Sequence, residues 1–271
     1  MDDLARALAA IDGVMAVGLG GSRGLGIADE HSDYDFVLFR DGGDPVDAGR
    51  IGAAIKPFVD RADLQVSGNF VQAQVQGRKL EVFQNDLAVI AREIGMAQAG
   101  KFRWTVHPLL PHGDLSTRSI SHLVFTEICH ENNSVIRTLR AKALPFPFPL
   151  KNSLVRHFIR QSSYLMTHAG KVRKAEDVQN LIALISGFVY FVNIVIFSLN
   201  DMYPVLEKGA ARLIPTLAYC PQEYTGMVRG LFQAALDGNS KSVNRIMAGV
   251  VGELKTRAGI GLGKNNALIH P

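Results

Sequence analysis

Ser22, Asp33 and Asp35 carry the spacing from which chemistry can be built. The pair Gly20-Gly21 follows the apolar run 14–19 and precedes Ser22. Eleven positions beyond Ser22, Asp33 opens an Asp-x-Asp pair that leads into a second apolar run, 36–39. A Gly-Gly-Ser turn lets backbone approach a ligand closely, because no Cβ stands in the way. N–H groups exposed where such a turn enters a helix favour an anion, with Gly21, Ser22 and Arg23 as the contacts and phosphate as the usual guest. Asp33 and Asp35, two apart on an expected strand, point to one face. Adjacent carboxylates repel unless a cation lies between them, and hard oxygen ligands beside a phosphate suit Mg²⁺. A phosphate cradle with Mg²⁺ carboxylates is the equipment of phosphoryl or nucleotidyl transfer.

A third acid joins them. In the run Lys79-Leu80-Glu81-Val82-Phe83, Glu81 faces away from both apolar neighbours. It either reaches water or serves a site.

The elements that must position these residues follow from the pattern. The periodicity predicts a helix over 2–11, a buried strand over 14–19, a strand through 36–39 and a helix over 44–59. It predicts a short strand at 64–66, a hairpin of 70–75 with 79–84 around Gln76-Gly77-Arg78, and a helix over 87–99. Residues 102–110 read as a connector, and 116–144 as helical. The prolines at 145, 147 and 149 break helix from helix. Residues 150–169 form an amphipathic helix with Lys151, Arg156 and Arg160 on a basic face, continued by Lys171, Arg173 and Lys174. The uncharged stretch 178–199 is long enough to span a bilayer. Its Gln, Asn and Ser residues favour a buried bundle helix, so no membrane is expected. Helices over 222–236 and 241–258 complete the chain.

The expected fold class is therefore α+β. A domain over 1–115, with a mixed sheet flanked by helices, precedes an all-helical bundle over 116–271. Net charge is +4, divided as −6 over residues 1–100 and +10 over 101–271. An acidic half that holds metal and a basic half suit a polyphosphate ligand. Cys129 and Cys220 match no metal spacing and read as buried thiols in a reducing, cytoplasmic compartment. No basic run follows Met1, so no signal peptide is expected. The histidines lack zinc spacing, Ser22 has no evident base to make it a nucleophile, and the glycines at 259–263 do not form a Walker motif.

The string from Gly20 to Asp35, with Ser22 and Asp33 eleven apart, resembles the signature of the DNA polymerase β-like nucleotidyltransferase superfamily. It is most similar to aminoglycoside-type and other small-molecule members. The resemblance covers residues 14–40 and, through Glu81, 79–83. It implies an Mg²⁺-dependent nucleotidyltransferase (EC 2.7.7-type) that moves NMP from an NTP, with ATP the expected donor, to a hydroxyl of a small molecule such as an aminoglycoside-like antibiotic, releasing pyrophosphate. It implies Asp33, Asp35 and Glu81 as metal and catalytic carboxylates, one or two Mg²⁺ ions, and Gly21, Ser22 and Arg23 as nucleotide contacts. A more diffuse likeness at Asn200…Tyr203-Pro204…Lys208 implies Lys208 near the phosphates. In relatives that act as toxin–antitoxin partners a second Arg stands three places after the Ser; here that place is Leu25. Two readings compete: transfer to RNA or protein, and a non-catalytic nucleotide-binding module on the same fold.

Overall fold

The apolar run before the glycine pair is a strand, β1 (Val14–Leu19). The run after the aspartates, β2 (Tyr34–Arg40), is its antiparallel partner. Between them lies one short helical turn, α2 (Gly21–Gly24). The computed structural model describes residues 1–60, 65–67, 70–107, 110–172, 175–205 and 209–260. They fall into two compact units, Met1–Leu150 and Lys151–Pro271.

In the first unit α1 (Asp2–Ala9) and α3 (Ala48–Ile55) cover one face of a mixed sheet. α3 is shorter than the expected helix, and Asp47 caps it by accepting from Arg50 N at 3.2 Å. The sheet continues with β3 (Gln65–Ser67), β4 (Phe70–Val75) and β5 (Arg78–Asp86), in the order β3-β4-β5-β2-β1-β8. The β4–β5 turn is Gln76-Gly77, both at positive φ, which suits the twist of a two-residue hairpin. β5 returns parallel to β2 after the crossover through α3, which makes the sheet mixed. Phe36, Leu38, Val71, Ala73, Leu80 and Val82 point from it into a core with Leu4, Leu8, Ile51 and Ile55.

Asp86 ends β5 and starts α4 (Leu87–Gln98). Its carboxylate accepts from Ala88 N and Val89 N and pairs with Arg40 at 3.2 Å. The expected connector instead contains a hairpin, β6 (Trp104–His107) with β7 (Leu110–Leu115). The expected helical stretch 116–144 is interrupted. α5 (Arg118–Phe125) and α6 (Val135–Ala143) flank β8 (Glu127–Glu131), which pairs with β1 at the sheet edge. Gly18 makes room for β8: a Cβ there would lie 2.4 Å from the Glu127 carbonyl oxygen. Arg140 of α6 donates to the Leu123 carbonyl at 2.9 Å and to the Thr126 carbonyl. These ties carry the compact unit to Leu150, past the boundary expected at 115/116.

The second unit contains only helices and 3₁₀ turns among the described residues. α7 (Phe148–Ala169) starts inside the proline run, earlier than expected. Pro149 occupies its first turn, where no N–H is needed. α8 (Val178–Leu199) is apolar and long enough to cross a membrane, yet Ile185, Phe188, Val192, Val195 and Ile196 are buried. α9 (Ala210–Leu213), α10 (Tyr224–Leu236) and α11 (Ser240–Arg257) follow, and Asn239 caps α11 by accepting from Ser242 N.

Candidate active site

Alternation along β2 and β5 decides which side chains meet. Tyr34, Phe36 and Leu38 face the helix-covered core, as do Leu80 and Val82. Asp35 and Glu81 therefore share the opposite face, and the parallel register sets them side by side. Asp33 stands just ahead of β2, two residues from Asp35.

The glycine turn closes onto this face. Gly20 N donates to the Asp35 carbonyl at 2.8 Å. Gly21 has φ +54°, and a Cβ there would fall 1.9 Å from Asp35 Oδ2. Only glycine fits both the backbone angle and the contact. Ser22 is the next residue of the turn, so Ser22, Asp35 and Glu81 belong to one neighbourhood.

Arg23 plays a part that its sequence position does not reveal. Its Nε donates to the Asp33 carbonyl at 3.0 Å and its Nη2 to the Ser32 carbonyl at 2.8 Å. Its guanidinium lies 4.1 Å from the Tyr34 ring centroid. It holds the loop that presents Asp33. Asp29 and Ser32 organise the same loop: Ser32 Oγ donates to Asp29 Oδ1 and accepts from Asp29 N, and His31 N donates to Asp29 Oδ1. The Asp-x-x-Ser spacing was a legible turn signal for these two.

Glu81 pairs with Lys79, two residues back on the same face of β5. Among the described residues no group of three or more His, Cys, Asp or Glu is arranged to hold a metal ion. Asp33 and Asp35 offer oxygen donors of the kind a hard cation takes, with phosphate and water to complete its shell.

Deeper in the unit, Asn85 on β5 meets His122 of α5, with Nδ2 3.4 Å from Nδ1. Burial first, then Arg118, lowers the His122 pKa to about 4, against an opposing pull from Asp114.

Lys208 and, from the basic stretch, Arg173 and Lys174 lie outside the described residues. Asn200 is a clasp within the second unit. Its Nδ2 donates to the carbonyls of Ile196 and Tyr219, and its Oδ1 accepts from Tyr219 N, each at 2.8 Å. Tyr203 is buried, and burial raises its pKa. Lys151 is drawn off the basic face by Asp201 at 2.9 Å, whereas Arg156 and Arg160 are exposed.

No protein-family model matches the chain, and no curated protein matches it in sequence. Twelve chains of solved structures are similar to it, two of them as follows. One is a nucleotidyltransferase-like protein from Exiguobacterium sibiricum 255-15, at 8% identity and TM-score 0.46, covering 96% of this chain and 77% of that one. The other is CdnC from E. coli MS115-1 in its complex with HORMA-deltaN, at 14% identity and TM-score 0.25, covering 93% and 88%. Likeness at this level defines neither a family nor a reaction.

Proposed function

We propose that the chain is a metal-dependent nucleotidyltransferase that moves NMP from an NTP, ATP first among the candidates, to a hydroxyl of a small acceptor. The observation that carries this reading is the Gly21 turn set against Asp35, with Glu81 beside Asp35 in the parallel register. It gives a close backbone approach and neighbouring carboxylates at the end of one sheet.

In this reading the triphosphate lies over Gly21 and Ser22, and Arg23 keeps the Asp33 loop in place. Asp33 and Asp35 hold Mg²⁺, with Glu81 next to them. The ion supplies charge neutralisation on the phosphates and lowers the pKa of a bound hydroxyl. Glu81 takes the acceptor's proton as the acceptor oxygen bonds to the α-phosphorus. The bond from that phosphorus to the bridging oxygen breaks, and pyrophosphate leaves with its electron pair. Lys208 is kept as a proposed phosphate contact on the diffuse likeness at residues 200–208 alone.

Calorimetric titration with ATP, GTP, CTP and UTP, each with Mg²⁺ and with EDTA, tests the reading beside the Asp33→Asn/Asp35→Asn double variant. Binding that needs both metal and aspartates is expected. Binding without pyrophosphate release, whatever the acceptor, supports the non-catalytic module instead. One observation favours a polyanionic acceptor such as RNA: Arg156 and Arg160 are exposed about one turn apart on α7. Steep loss of RNA affinity with salt is the mark of that alternative.

A further inference from the structure

The carboxylates are one end of a longer polar row. Register aligns Asp35 with Glu81, Glu81 with Gln72, and Gln72 with Gln65, one residue from each of four neighbouring strands. Register partners share a face, and this face is opposite the one that buries Val71, Ala73, Leu80 and Val82. Strands lie about 4.8 Å apart, so the row runs about 14 Å from Asp35 to the edge strand β3. Gln65 is exposed and Gln72 half-buried. Neither side-chain amide makes a hydrogen bond among the described residues. Phe83, two residues beyond Glu81 on the same face, is 38% exposed.

We infer that Gln72 and Gln65, flanked by Phe83, form the acceptor subsite, and that the acceptor is a neutral, polyhydroxylated ring compound of saccharide type. The inference rests on the nucleotidyl-transfer reading and narrows its acceptor. An amide offers a donor and an acceptor together, which matches neighbouring hydroxyls that each do both. An aromatic ring beside it covers the apolar C–H face of a sugar. A polycationic amino sugar needs acids along its length. Here Glu81 is the one acid of the row beyond Asp35, and Lys79 already pairs with it. Glu81 and Gln65 stand two strand spacings apart, about 10 Å, a length that matches a reacting hydroxyl and one or two rings.

Saturation-transfer NMR on the full chain without nucleotide tests this, with maltotriose, methyl glucoside and myo-inositol as neutral probes and kanamycin as the cationic one. ATP titration is run separately. Saturation transfer to at least one neutral probe is expected. Gln72→Leu and Phe83→Ala should each weaken its binding about fivefold. Circular dichroism checks the fold of each variant, and Gln65→Ser at the strand edge serves if Gln72→Leu does not fold. No transfer to any neutral probe, affinity unchanged by the glutamine variants, or preference for kanamycin overturns the inference. ATP binding without saccharide binding overturns this subsite and leaves the transferase reading. Saccharide binding that depends on Gln72, without ATP binding, supports the subsite and removes the transferase reading.

Discussion

The two stretches that the resemblance marks out, Gly20–Asp35 and Asn200–Lys208, use their polar residues in opposite ways. In the first, backbone geometry brings side chains to one face and leaves their oxygens there. Gly21 yields space to Asp35, and Arg23 spends its hydrogen bonds on loop carbonyls so that Asp33 stays in position. In the second, Asn200 spends its whole amide on backbone, and Tyr203 is buried. The same residue types serve presentation in one place and cohesion in the other. What separates them is whether the backbone around them already has its hydrogen bonds. Strands β2 and β5 satisfy each other's backbone through their parallel register, which sets Asp35 and Glu81 side by side. Tyr219 lies in irregular backbone, and the Asn200 amide supplies partners for both its N–H and its carbonyl while adding a second donor at the Ile196 carbonyl.

The comparison breaks most readily at the aspartates. Asp33→Asn and Asp35→Asn should each cut nucleotidyl transfer on the order of a thousandfold with the melting temperature nearly unchanged. Full turnover by both variants removes the metal assignment. Asn200→Ala should do the reverse. Loss of three hydrogen bonds costs about 3 kcal/mol of stability in denaturant titration, with donor affinity of the folded protein unchanged. A wild-type unfolding midpoint in that variant would show that the clasp is not structural. Gly21→Ala stands between the two. A Cβ at φ +54° driven into Asp35 should cost about 2 kcal/mol and weaken donor binding together. If binding survives while stability falls, the turn supports the fold and not the ligand.

A smaller effect comes from His122, within the sheet unit but away from the carboxylate row. Its folded pKa is lowered to about 4 from 6.5. Between these values the unfolded chain binds a proton that the folded chain does not. Stability is therefore full above pH 6.5 and declines as pH falls towards 4, at up to about 1.4 kcal/mol per pH unit. His122→Gln should flatten that slope in thermal melts recorded from pH 7 to 4. The smallest change is expected at Arg156 and Arg160. Alanine at either should shift stability by less than about 0.5 kcal/mol and leave transfer to a small acceptor intact. A marked loss of activity there would move the polyanionic acceptor ahead.

Local patterns were enough to mark β1, the hairpin of 70–75 with 79–84, α4 and α8: β1 is an apolar run and α8 a long uncharged one, the hairpin has its turn residues at 76–78, and α4 carries a weak apolar stripe. The pattern misled at Glu127–Glu131. Its five residues, read with their neighbours, fit a helical stripe, and what makes them a strand is the open edge of β1 beside Gly18. The β6–β7 hairpin was hidden by the prolines around it. Arg23 looked like a phosphate contact because its neighbours in sequence are the glycines. Its partners in space are the carbonyls of Ser32 and Asp33.

By itself the sequence determined the carboxylate pair, the glycine turn and a third acid on a later strand, since each is a matter of residue type at short range. Only the tertiary structure decided that Glu81 stands beside Asp35, that the row extends through Gln72 to Gln65, and that Asn200 turns inward. Strand register and helix-end partners are set by residues tens of positions apart, and a one-residue slip would send Glu81 to the buried face.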